Sequence, residues 1–200
     1  RAFGEEVSRE AHEYGLAREL ADVLAGCTAL SIHSTQSYAD PFGIVNGLER
    51  PITDVAPRLS VSALVDVDEE EGRLFAAEAT DLVEVEAGLQ GSNEAAENAY
   101  RLAREFLTAT GALPGTTAGR DLPVFTLGDP VEKPPAEEYE VYAKNFARVA
   151  AGESFAAADG SPLEASEPFY PVLMSARGYA DIFGYAGDRV GTLDAGETAE

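Results

Sequence analysis

Apolar positions recur with two different periods along this chain, and the change from one to the other divides it. Between Val7 and Ala25, Leu16, Leu20, Val23 and Leu24 are spaced at helical intervals, while Glu10, Glu13, Arg18 and Glu19 fall elsewhere. That spacing predicts an amphipathic helix, stopped by Gly26. Ala29-Leu30-Ser31-Ile32 is short, apolar and partly β-branched, and it runs into a polar cluster. Such a segment predicts a buried strand that delivers His33 to its end. Asp40-Pro41 and Gly43 mark a turn, Ile44-Val45 a short strand and Asn46-Gly47 another turn.

A second long strand is predicted from Ser60 to Val67, then an acidic turn over Asp68-Glu69-Glu70-Glu71-Gly72 and a short helical piece from Arg73 to Ala79. A third strand follows from Leu82 to Gln90, with Val83 and Val85 on one face and Glu84 and Glu86 on the other. Asn93 is expected to cap a helix from Glu94 to Thr110. Its packing stripe would be Ala96, Ala99, Tyr100, Ala103, Phe106 and Leu107, and Gly111 its stop. Strands alternating with helices predict an α/β layer with a largely parallel sheet.

After Gly111 the style changes. Residues 113–119, L-P-G-T-T-A-G, form loop, and from Arg120 onward short Val, Phe and Tyr segments are broken by Gly-Asp, Pro-Pro and Asp-Gly pairs. That pattern predicts an all-β region, so a boundary is expected near residue 115, with an α/β catalytic part over 1–114 and a β-rich domain over 115–200. Residues 195–200 resemble a frayed acidic tail.

The charge balance narrows the class of partner. Against 36 Asp and Glu stand 14 Lys and Arg, a net charge of −22, and only Lys133 and Lys144 are lysines. A field of that sign repels nucleic acid and anionic membranes, which leaves a small-molecule substrate as the expected partner. Homo-oligomer formation stays open. An acidic, lysine-poor surface over an ordinary core, 45% hydrophobic, is expected of a halophilic protein, because concentrated salt screens the self-repulsion. No apolar run approaches the roughly 20 residues of a membrane span. Cys27 stands alone, which excludes an intrachain disulfide and a cysteine cluster and points to a reducing, cytoplasmic setting. The sequence starts at Arg1 rather than Met, and we expect an amino-terminal part to precede it.

Against this background few residues can carry chemistry. His33, flanked by the hydroxyls of Ser34 and Thr35, is a metal ligand, a general base or a hydrogen-bonded structural histidine. His12 has no partner at metal-ligand spacing and reads as a surface or packing residue, and the acidic run at 68–72 lacks the spacing of a calcium loop. Glu86 stands at the end of its own strand. An imidazole and a carboxylate converging on one sheet edge make either a structural ion pair or the ligand and base of a metal-assisted hydrolysis.

Three segments, Arg1-Ala2-Phe3-Gly4, S-I-H-S-T at 31–35 and V-E-A-G-L-Q at 85–90, follow in an order and spacing that resembles the aspartoacylase and succinylglutamate desuccinylase family. The resemblance covers most of the chain. It implies a carboxypeptidase-like mixed sheet with helices, followed by a small all-β carboxy-terminal domain. It also implies a Zn2+ cofactor and hydrolysis of an N-acyl amino acid or a similar carboxylate-bearing amide. Carried over by position, it makes His33 a zinc ligand, Glu86 the base that deprotonates the attacking water, and Arg1 the fork that binds a substrate carboxylate. Phe169-Tyr170-Pro171-Val172-Leu173 followed by Tyr179 resembles a late family segment, which makes Tyr179 a substrate-binding tyrosine or, alternatively, a side chain of the β-core.

The departures matter as much. Phe3 is followed by Gly4 without the family's Pro, and His12 is followed three residues later by Gly15, so the family's two-ligand H-x-x-E pair is not in these 200 residues. The resemblance therefore also admits a carboxypeptidase-like metallopeptidase, or a non-catalytic member that has lost its metal.

Overall fold

The computed structural model of the protein describes residues 15, 16, 19, 20, 23–67 and 81–195. Residues 15, 16, 19, 20, 23 and 24 are helical, as the periodicity predicts, but Leu16, Leu20 and Val23 are exposed rather than packed. The sheet face beneath the first strands is covered by the helix after residue 92.

Alternation along one strand sets the layers. In β4, Asp81–Leu89, Val83, Val85 and Ala87 are buried while Glu84 and Glu86 are half-buried, so one face is committed to the core and the other is only partly covered. β1, Thr28–Thr35, pairs with it in parallel. On the other side β4 runs antiparallel to β2, Phe42–Val45, which is parallel to β3, Leu64–Asp66. Two short helical turns, α1 at Ile52–Val55 and a 3-10 turn at Ala56–Arg58, bury Ile52, Val55 and Ala56 against the valine face of β4.

The strand predicted over Ser60 to Val67 shrinks to three residues. The Ser60 amide donates to the Glu105 carboxylate at 2.7 Å, and the Ser62 amide and hydroxyl both reach Pro41 O, at 2.7 and 2.8 Å, which takes those residues out of the ladder. The helix α2, Asn93–Ala109, is capped by Ser92 and not by Asn93: the Ser92 hydroxyl accepts from Ala95 N at 3.0 Å. Its packed face is also turned from the predicted stripe. Ala95, Leu102 and Phe106 are buried, whereas Tyr100 and Leu107 face outward. The reason is polar: Asn98 lies on the inner side and donates its side-chain amide to Ala87 O at 2.9 Å. Leu102, wholly buried beneath β4, contributes about 1.5–3 kcal/mol by its removal from water.

The region after residue 115 does not stand apart as an all-β unit. β5, Leu122–Glu132, pairs in parallel with β3, β10, Ile182–Leu193, runs antiparallel to β5, and β9, Tyr170–Val172, closes the edge. One seven-stranded mixed sheet therefore runs β1-β4-β2-β3-β5-β10-β9 across the whole described chain. The change of sequence style marks where the helices stop, while the sheet continues. Only β6, Tyr139–Val141, β7, Ser154–Ala158, and β8, Ser161–Glu164, form a second, three-stranded antiparallel sheet. Phe155, Phe169, Met174 and Phe183 pack between it and the long β5-β10 ribbon. Among the described residues no helix is long and apolar enough to cross a membrane.

Candidate active site

Two residues that stand 53 positions apart in sequence are neighbours in space. His33 and Glu86 are register partners on the parallel strands β1 and β4, so their side chains leave the same face side by side. The opposite face carries Leu30, Val83 and Val85 into the core beside α2. On the site face Ser31 lies one pleat before His33, and its hydroxyl shares a 2.8 Å hydrogen bond with His33 Nε2. Beyond His33 the pairing slips by one residue, since Thr35 opposes Leu89, and the bulge re-aims the end of β4.

The neighbours of Glu86 on either side are opposites. On one side is exposed His33. On the other is its antiparallel partner Phe42, wholly buried among Tyr38, Phe146 and Phe125. Burial beside that aromatic cluster pushes the Glu86 carboxyl above its ordinary range; positive charge on His33 pulls the other way, and the Glu84 carboxylate adds to the rise. One oxygen, Oε2, is buried without a hydrogen-bond partner. An orphaned carboxylate oxygen with raised basicity is suited to take up a proton.

A cleft of about 220 Å3 opens at this edge, lined by Glu86, Gln90, residues 34–37, Leu173, Gly178 and Tyr179. The loop after β1 forms its near wall. Gly88 makes that loop possible: at φ +130° it has no side chain to collide with Ala39 O, which would sit 2.8 Å from a Cβ. Gln90 N donates to Thr35 O at 2.8 Å, and the side-chain amide of Gln36 donates to Gln90 Oε1 at 3.2 Å. The far wall comes from the other end of the chain. Tyr179 is 37% exposed, its ring edge-on to Tyr185 at 6.0 Å, so it lines the cleft and is not a residue of the β-core. Lys133, one of the two lysines, donates to Ala176 O at 2.9 Å and Tyr179 O at 2.6 Å and so secures the turn that carries the ring.

The structure thus brings Glu86 beside His33 by register and beside Tyr179 around the cleft, whose lining does not include His33. Arg1 lies outside the described residues. Gln36, Ser37 and Leu173 carried no signal of their own in the sequence, and Gln90 stood in the V-E-A-G-L-Q segment without a role. As a metal centre the arrangement fits in part. His33 offers an imidazole and Glu86 an unpartnered carboxylate oxygen, the chemistry zinc prefers, but among the described residues no three or more His, Cys, Asp or Glu side chains are grouped to complete a ligand set.

Comparison with known proteins bears on the fold. No family model matches the chain, and no curated protein matches its sequence. Solved structures match its fold. The chain is similar to succinylglutamate desuccinylase from Vibrio parahaemolyticus (14% identity, 95% of this chain and 64% of that one, TM-score 0.63). It is also similar to a succinylglutamate desuccinylase/aspartoacylase from Rhodobacter sphaeroides (16% identity, 93% and 67%, TM-score 0.67) and to murine aminoacylase 3 (16% identity, 96% and 75%, TM-score 0.62). The chain spans 64% of the length of the Vibrio protein. Its mixed α/β architecture is consistent with the carboxypeptidase-like fold that the family resemblance implied.

Proposed function

We propose that the protein is a zinc-dependent hydrolase that cleaves the amide bond of an N-acyl amino acid or a similar small, carboxylate-bearing amide. The observation that carries the reading is the in-register pair of His33 and Glu86, with Glu86 lining the cleft and its Oε2 buried and unpartnered. Held half out of water, Glu86 takes the proton of the attacking water and returns it to the departing amine nitrogen. His33 would supply one imidazole to the metal. Zinc, when bound, supplies a Lewis acid that polarises the amide carbonyl and lowers the pKa of water. Tyr179 lines the cleft, its hydroxyl being the group suited to donate to a substrate oxygen, and the guanidinium of Arg1 is the group suited to a substrate carboxylate. The names of the structures sharing this fold, a desuccinylase, an aspartoacylase and an aminoacylase, support removal of an acyl group from an amino acid.

The test is a panel of N-acyl amino acids and short peptides offered to the full-length protein in zinc, wild type beside Glu86→Gln. The variant should lose about 10²–10⁴-fold in turnover and keep its zinc. Retained turnover removes Glu86 from the chemistry. Cleavage of peptides alone would make the protein a carboxypeptidase-like metallopeptidase, and absence of both zinc and hydrolysis would make it a non-catalytic binding module.

A further inference from the structure

The far wall of the cleft is held by a residue that the reaction does not require. Asn145 lies between β6 and β7 and is 4% exposed. Its side-chain nitrogen donates to Ser37 O at 2.8 Å and to Met174 O at 3.0 Å, and its oxygen accepts from Met174 N at 2.8 Å. Both amide protons are used, one on each wall of the cleft: Ser37 belongs to the loop after the His33 strand, and Met174 follows Leu173, which lines the opposite side. Ser175 repeats the bridge one residue on, its hydroxyl donating to Gln36 O at 3.0 Å.

The backbone around these bonds is strained. Phe146 has φ +66° and Leu173 φ +54°, a left-handed conformation that bulky residues adopt only where the surroundings enforce it. Each adjoins one end of the Asn145–Met174 pair. From below, β10 presses close, because Ser175 N donates to Phe183 O at 2.7 Å and Gly184 lies directly beneath residues 173 and 174. Strain at two residues flanking one hydrogen-bonded amide indicates that the amide holds the wall against its own preference.

We infer that Asn145 is a positioning residue, which fixes the distance between the loop carrying Gln36 and Ser37 and the segment carrying Leu173 and Tyr179, and so sets the width of the substrate cleft. The inference rests on the hydrolase reading for its effect on turnover, but the tie itself is open to measurement without turnover. No group other than an amide meets all three partners: a carboxylate has no donor for the carbonyls, and a hydroxyl has one proton for two acceptors.

The experiment compares Asn145→Leu, which keeps the branched shape and removes the bonds, and the milder Asn145→Ser with Val149→Ala. Val149→Ala is a buried core change in the same region, in the cluster that holds Met174 but not itself in the cleft lining. Amide hydrogen exchange should speed up selectively over residues 34–37 and 173–179 in the two Asn145 variants, and not in Val149→Ala at comparable loss of Tm. With a substrate in hand, Asn145→Leu should raise KM and lower kcat/KM by roughly ten- to hundredfold, as misplacement of a binding wall does, and Val149→Ala should leave KM unchanged. Equal exchange in all three variants, or equal KM, overturns the assignment. If the wild type hydrolyses nothing, the function reading fails alone, and the exchange pattern still decides the role of Asn145.

Discussion

The two walls of the cleft are built by different means. The wall that carries His33 and Glu86 is a pair of parallel strands, where the pleat alone decides which side chains face the site and the ladder decides which stand side by side. The wall that carries Leu173 and Tyr179 is irregular. It is placed by side chain to backbone hydrogen bonds from Asn145, Ser175 and Lys133, by a left-handed residue and by the close pass of a glycine. A regular wall tolerates loss of stability without losing its geometry, since every ladder bond repeats the same instruction. An irregular wall depends on a few contacts of different kinds, with little repetition among them. The candidate chemistry sits on the first and the shape of the cleft depends on the second.

That contrast is broken or sharpened by two core substitutions of different kind. Leu102→Ala removes the wholly buried side chain under β4 and should cost about 2–5 kcal/mol, read as a fall in Tm and in the denaturant midpoint. The register of His33 and Glu86 should survive it, so whatever protein remains folded should keep the wild-type KM. Gly184→Ala should cost less, about 1–3 kcal/mol, by overpacking. Its Cβ would meet Met174 Cα at 2.6 Å and Leu173 C at 2.8 Å, with the backbone at φ +156°. The relief available is outward movement of residues 173 and 174, so the smaller stability loss should bring the larger change in KM. If Leu102→Ala alters KM and Gly184→Ala does not, the division of labour between the walls is wrong.

The same contrast explains what was legible in the sequence. Val83, Val85, Glu84 and Glu86 announce their faces by alternation, which is local, and the strand before His33 does so by its apolar run. Hence the regular wall and its two principal residues could be placed from sequence. Asn145 could not, because its partners lie 108 and 29 positions away and no periodicity marks an asparagine as buried. Tyr179 is reached only through the family resemblance, and the residues alone leave it open to a place in the β-core. The packed face of α2 departs from the periodic stripe because a polar side chain, Asn98, takes an inner position for the sake of one carbonyl. The pairing of β3 with β5 joins residues some 60 positions apart, so the change of style near 115 hid a sheet that continues through it. The Arg1 reading and most of the Val7 to Ala25 helix fall outside the described residues.

The smallest expected effect discriminates most sharply between a working carboxylate and a structural ion pair. The Glu86 carboxyl is raised above its ordinary range chiefly by burial, with His33 opposing and Glu84 adding. A group that holds its proton more tightly when folded favours the folded state at low pH, and that contribution is lost as pH rises through the raised value. Below the ordinary carboxylate range Glu86 and a glutamine in its place are both neutral, so wild type and Glu86→Gln should melt together. Above the raised value only the wild type carries a half-buried charge beside Phe42, and Glu86→Gln should become the more stable of the two, the difference growing through the titration and then levelling. Melting curves of both proteins from about pH 4 to pH 8 measure this directly. An ordinary His33–Glu86 ion pair requires the opposite slope, with the variant losing stability relative to wild type as the carboxylate ionises. A variant that gains stability as pH rises while losing turnover would identify Glu86 as a residue whose burial weakens the fold and serves the reaction.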